Sequence, residues 1–119
     1  MIEIIRNFHA AGKPIFSICH GAQVLAAAEI IAGRKVAALE YCEPEVRLAG
    51  GIYVDVPPEG ATRDGNLVSA KGWPGLAAFM KECLLVLGTE IRHGKTMMAE
   101  RPKRRAAAAR STAPRRAKG

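Results

Sequence analysis

Acidic residues are nearly absent from the end of this chain: beyond position 94 a single one, Glu100, stands among nine lysines and arginines. The full 119 residues carry 18 basic and 11 acidic side chains, a formal charge of +7, yet positions 1–94 hold 9 basic and 10 acidic ones. The body is a near-neutral globule and the basicity belongs to the tail. An argument from general basicity toward an acidic partner therefore applies to the tail alone.

Cysteine is also scarce. Cys19, Cys42 and Cys83 are odd in number and lack paired spacing, which speaks against a disulfide framework or a zinc site and fits a reducing compartment. No stretch approaches the ~18 apolar residues that a membrane span needs. Glu3 and Arg6 occupy the first turns where a secretory signal would place a continuous apolar region. The expectation is a soluble, cytoplasmic chain with no membrane partner, no metal and no cofactor, and its length suits one core.

Along that body the apolar residues Ile2, Ile5 and Phe8 fall at helical spacing, and Gly12 and Pro14 close the element. "IFSI" at 15–18 reads as a buried parallel strand. From His20 a helical pattern of Val24, Leu25, Ala28 and Ile31 runs to Gly33. "KVAAL" at 35–39 predicts the next strand, Pro44 the first turn of a short helix ended by Gly50 and Gly51, and "IYVDV" at 52–56 a half-exposed strand stopped by Pro57. Asp64-Gly65 signals a hairpin between two antiparallel strands. Leu76, Phe79, Met80, Cys83, Leu84 and Leu87 give the strongest helix.

The chemistry concentrates in "KPIFSICHGAQVLAAA", residues 13–28, where Cys19 falls at a strand-to-helix junction. Such a bend holds a nucleophile clear of the sheet, and small neighbours, here Ser17 and Gly21, make the turn sterically feasible. Unpaired N–H groups and the positive end of the helix dipole favour thiolate over thiol. The N–H of His20, next after the nucleophile, would face a developing oxyanion. Against this stands the ordinary fate of a lone cysteine, a small buried hydrophobe.

"GKPIFSICHGAQVLAAAEIIAGRKVAAL", followed by "PEVRLAGGIYVDVP" and "DGNLVSAKGWP", resembles the PfpI-like (DJ-one) family, which includes protein deglycase and glyoxalase-III-type enzymes. The resemblance runs from about Ile2 to Ile91, with Ile-Cys-His-Gly at 18–21 as the nucleophile motif. It implies a flavodoxin-like (class I glutamine amidotransferase-like) α/β sandwich over residues 1–94, followed by a disordered basic Ala/Arg/Pro-rich tail over 95–119. Cys19 is implied as nucleophile, His20 as the adjoining acid or base and Gly21 as part of the elbow and oxyanion site. The substrate would be a small aldehyde or a peptide.

Family members are usually about twice as long as the body. Their first strands, glycine-rich oxyanion loop and cysteine-contacting glutamate have no counterpart in these residues. Glu29 lies nearly three turns along the elbow helix, and Glu40, Glu43 and Glu45 read as part of the following segment. The expectation is that activity needs a complementing N-terminal half or a homo-oligomer. The alternative is a non-catalytic fragment acting through oligomerisation or its tail.

Gln23, one turn into the elbow helix, is a candidate to hold substrate or to cap locally. Trp73, before Pro74, is a candidate to border the active-site mouth or to anchor the last helix. His9 and His93 stand alone, and Cys83 is explained by packing. Cys42 precedes a helix start with no histidine nearby in sequence. The tail "RPKRRAAAARSTAPRRAKG" lacks interleaved aromatics, so any nucleic-acid binding by it is weak, sequence-independent and salt-sensitive.

Overall fold

In a computed structural model that describes residues 1–94, the chain runs through α1 (Ile2–Ala10), β1 (Ile15–Ile18), α2 (Gly21–Ala27), β2 (Lys35–Val36), a 3-10 turn (Glu40–Cys42) and α3 (Glu43–Leu48). It continues through β3 (Ile52–Tyr53), β4 (Ala61–Asp64), β5 (Leu67–Ala70), a second 3-10 turn (Trp73–Gly75) and α4 (Leu76–Val86). Met1–Thr89 form one compact unit, and 90–94 contain no helix or strand. The tail expected to be disordered, 95–119, lies outside the described residues.

β1, β5 and β4 form one sheet in that order. β1 and β5 run parallel, with Ile15 opposite Leu67 and Ile18 opposite Ala70, and β4 returns antiparallel to β5. All four residues of β5 are buried, as befits a central strand covered on both faces. Alternate residues serve alternate layers. Ile15 and Leu67 join the core under α2 and α3, with Leu25, Ile31, Val36 and Val46. Phe16, Ile18, Val68 and Ala70 face α4, where they meet Phe79 and Cys83, and the Phe16 and Phe79 rings pack edge to face at 6.4 Å.

The helices stop for a common reason. In all four, the N–H two residues past the C-cap returns to the third carbonyl from the end: Lys13 to Phe8, Ile30 to Leu25, Gly51 to Val46 and Thr89 to Leu84. This Schellman closure places one residue in the left-handed region. Glycine fills that place in three helices, but in α2 it is Glu29, with φ +60°. The elbow helix therefore ends well before Gly33, where its apolar pattern predicts the stop. Leu25 and Ile30 are both buried in the same cluster and supply the hydrophobic contact that accompanies such a cap.

Two strands are shorter than expected. Only Lys35 and Val36 of the 35–39 run pair, with Ile52 and Tyr53 of β3. Beyond them side chains take over: the N–H of Ala37 donates to Ser69 Oγ at 2.9 Å, and the Tyr53 hydroxyl donates to the carbonyl of Ala38 at 3.2 Å. In the 52–56 run the Val56 N–H turns back onto the carbonyl of Val54, bending the chain before Pro57. The hairpin forms as expected, but Asp64 pairs with Leu67 and the two-residue turn is Gly65-Asn66. Positive φ at the first turn position, Gly65 at +61°, follows the type II′ pattern.

α4 spans the predicted stripe but uses only part of it. Phe79 and Cys83 are buried, while Leu76, Met80 and Leu87 are exposed. No helix among the described residues is long and apolar enough to cross a membrane.

Candidate active site

β1 delivers Cys19 to the C-terminal end of the sheet. In parallel α/β units the carboxyl ends of the strands open onto one crevice, so residues that follow different strands converge there. Ile18 stands in register with Ala70, which brings Cys19, following β1, beside Lys71, following β5. The backbone of Cys19 is held at both ends. Its N–H donates to the carbonyl of Ala70 at 3.1 Å, and its own carbonyl accepts the N–H of Leu39 at 3.3 Å.

Between those bonds Cys19 adopts φ +58°. A left-handed conformation at a non-glycine residue costs roughly 1–2 kcal/mol. Held strain of this kind marks residues whose orientation the surrounding structure dictates. His20 follows in helical conformation as the N-cap of α2, without a side-chain cap, and the N–H of Gln23 closes onto its carbonyl at 3.0 Å. Gly21 opens the helix directly over β1: a Cβ there would stand 2.8 Å from Ser17 Oγ. The bend thus depends on a residue without a side chain.

The half-buried Cys19 thiol opens on a cleft of about 270 Å³. Leu39, Pro58, Trp73 and Pro74 supply its apolar walls, and Glu40 and Lys71 its charges. Trp73 is 81 % exposed and lies at this cleft while α4 begins just beyond it. A second cleft shares Glu40 and Lys71 and adds Glu43, Arg47, Tyr53 and Asp55. There Lys71 pairs with Asp55, a hydrogen bond that pushes the Lys71 ammonium pKa up. Burial pushes the Tyr53 phenol up in the same cleft.

The other two polar candidates turn toward α3. His20 is exposed, and its Nδ1 lies 3.5 Å from Cys42 Sγ. Gln23 donates through Nε2 to Glu45 Oε1 at 3.0 Å. Neither His20 nor Gln23 is among the residues lining the Cys19 cleft. Cys42 thus has a histidine neighbour that its sequence surroundings do not reveal. His9 on α1 and His93 beyond α4 are both exposed.

Glu40 is the residue that sequence reasoning passed over. It reads there as part of the segment after the strand, yet it lines the same cleft as Cys19. The signal was available: Leu39-Glu40 closes the "KVAAL" run as Cys19 closes "IFSI", and the ends of parallel strands meet. Lys71, directly after β5, follows the same rule.

The sequence profile described as the DJ-1/PfpI family matches residues 1–85. This chain belongs to the DJ-1/PfpI family. Among curated relatives, Protein DJ-1 homolog D of Arabidopsis thaliana is 37% identical over 92 residues, covering 76% of this chain and 24% of that protein. Protein/nucleic acid deglycase 2 of Escherichia coli (strain K12) is 37% identical over 87 residues, 73% of this chain and 49% of its own. The chain therefore spans half or less of the length of these DJ-1/PfpI relatives.

Solved DJ-1/PfpI structures agree on the flavodoxin-like fold. A two-domain protein from Anabaena variabilis, with dj-1/thij/pfpi-like and ferritin-like domains, superposes with a TM-score of 0.69 at 26% identity, covering 74% of this chain and 24% of that one. Drosophila melanogaster DJ-1beta gives 0.61 at 26% identity, covering 74% and 46%.

Proposed function

We propose that this DJ-1/PfpI protein is a cysteine-dependent enzyme of deglycase or glyoxalase type, with Cys19 as the nucleophile and a small aldehyde or its adduct as substrate. The observation that carries the reading is the half-buried Cys19 at φ +58° facing a cleft of about 270 Å³. That volume lies just under the range of about 300–1,000 Å³ for pockets that hold drug-sized ligands. It favours a few-carbon carbonyl such as methylglyoxal over an extended peptide. The deglycase relative from Escherichia coli supports the same choice.

In this scheme the Glu40 carboxylate takes the thiol proton, and the Cys19 sulfur forms a bond to the carbonyl carbon as the carbonyl π pair moves to oxygen. The oxygen, met by the N–H of His20, takes a proton to give a hemithioacetal. The outer edge of β1 has no paired strand among the described residues. An unpaired edge is a template for another strand, and a second copy or a complementing polypeptide covers it in the active form.

The test is methylglyoxal consumption by the full chain across a range of protein concentrations. Loss of turnover in Cys19→Ala, with specific activity rising as copies associate, supports the scheme. Turnover that persists in Cys19→Ala refutes the nucleophile. Activity independent of concentration and of any added partner refutes the completed edge.

A further inference from the structure

Cys42 ends the 3-10 turn before α3 and is its N-cap. Its N–H donates to the carbonyl of Leu39 at 2.8 Å, and the residue is 0% exposed. Burial first, then the charges of Glu45 and Cys19, push its thiol pKa up. The sulfur at this position therefore keeps its proton at neutral pH, and a thiol has one proton to donate.

The hydrogen-bonding partner recorded for that thiol is His20 Nδ1, at 3.5 Å. Among the described residues Glu45 makes no hydrogen bond to that thiol: its Oε1 accepts from Gln23 and its Oε2 has no partner. Two arrangements satisfy a thiol beside an imidazole nitrogen. A ring N–H can donate to sulfur, or S–H can donate to the bare ring nitrogen. Thiol sulfur is a weak acceptor, whereas the unprotonated nitrogen of a neutral imidazole is a full one. The second arrangement wins, and the other ring nitrogen of the neutral histidine then carries the proton.

We propose that Cys42 is a positioning residue that holds neutral His20 as its Nε2–H tautomer. This deepens the function proposed above and rests on it for its chemical consequence. A ring held this way, turned toward Cys42 and outside the lining of the Cys19 cleft, has no bare nitrogen left to accept the Cys19 thiol proton. The base must come from elsewhere, and Glu40 on the Cys19 cleft fills that place.

The tautomer is read without substrate, from two-bond proton–nitrogen correlation spectra of the ¹⁵N-labelled full chain at a pH where the ring is neutral. His20→Gln assigns the signals against His9 and His93. The expected spectrum shows a bare-type Nδ1 and a protonated-type Nε2. The Nε2–H population should fall in Cys42→Val to the partial preference of a free neutral imidazole and stay near complete in Cys42→Ser, whose hydroxyl can donate in the same place. An Nδ1-protonated ring in the unmodified protein overturns the proposal, as does a Cys42→Val spectrum that matches it. Should Cys42→Val fail to fold, Cys42→Ala takes its place in the same comparison. Because no turnover enters this readout, a failure of Cys19→Ala to abolish activity would remove the proposed function and leave the tautomer standing.

Discussion

Ser17 and Ser69 face each other across β1 and β5, in register and both buried, yet only one hydroxyl is used. Ser69 Oγ accepts the buried N–H of Ala37 at 2.9 Å and ties the central strand to the residue after β2. Ser17 Oγ has no partner among the described residues. Removing the first leaves a backbone donor unsatisfied, at a cost of about 1–3 kcal/mol; removing the second deletes a group that is already unpaired. Ser69→Ala should therefore lower stability in urea titrations by that amount, while Ser17→Ala should leave it unchanged or raise it. Equal losses would show that Ser69 is not a tie.

The same Ser17 hydroxyl limits what can occupy position 21. A Cβ on Gly21 would lie 2.8 Å from Ser17 Oγ but 3.7 Å from its Cβ, so the conflict is with the oxygen alone. Gly21→Ala should cost about 1–3 kcal/mol as overpacking, and most of that cost should vanish in the Ser17→Ala background. A double-mutant cycle measures the coupling directly. Additive effects would place the cost of Gly21→Ala somewhere other than this contact.

Cys19 predicts an inverted preference. At most positions alanine is more stabilising than glycine, but at φ +58° the side chain itself carries strain. Cys19→Gly should be more stable than Cys19→Ala by about 0.5–1 kcal/mol in chemical denaturation, after the greater unfolded-state freedom of glycine is allowed for. Neither variant should consume methylglyoxal. An alanine variant as stable as the glycine variant would mean the bend is relaxed in solution.

The elements that carry the elbow were legible because their signals are local. "IFSI" is short, apolar and bounded by Pro14, and "CHGAQ" turns it into a helix. The helix closed by Glu29 was not legible at its end, since a glutamate in the left-handed region imitates a glycine that the pattern places at Gly33. The truncation of β2 depends on Ser69, 32 residues away, and no periodicity reports such a bond. The site divides similarly. Cys19 and Gly21 follow from adjacent residues, but the places of Glu40, Lys71 and Cys42 follow from which strand ends and helix starts meet in space.

Two buried thiols give the fold a pH limit. Burial pushes both Cys42 and Cys83 above the ordinary thiol value of 9.0, with the residues 0% and 3% exposed. The folded state binds these protons more tightly than the unfolded chain does. Their contribution to stability is thus complete below about pH 9 and is lost as pH rises through the folded values. Tyr53 and Lys71 are also raised, from 10.0 and 10.5, and add loss of the same sign at higher pH. Denaturation midpoints should hold steady between about pH 7 and 8.5 and fall between about pH 9 and 10. Cys83→Val, which removes one buried thiol while keeping an apolar side chain against Phe79 and Val68, should make that fall shallower. An unchanged slope in Cys83→Val would mean that thiol does not resist ionisation, and that the alkaline loss arises from other groups.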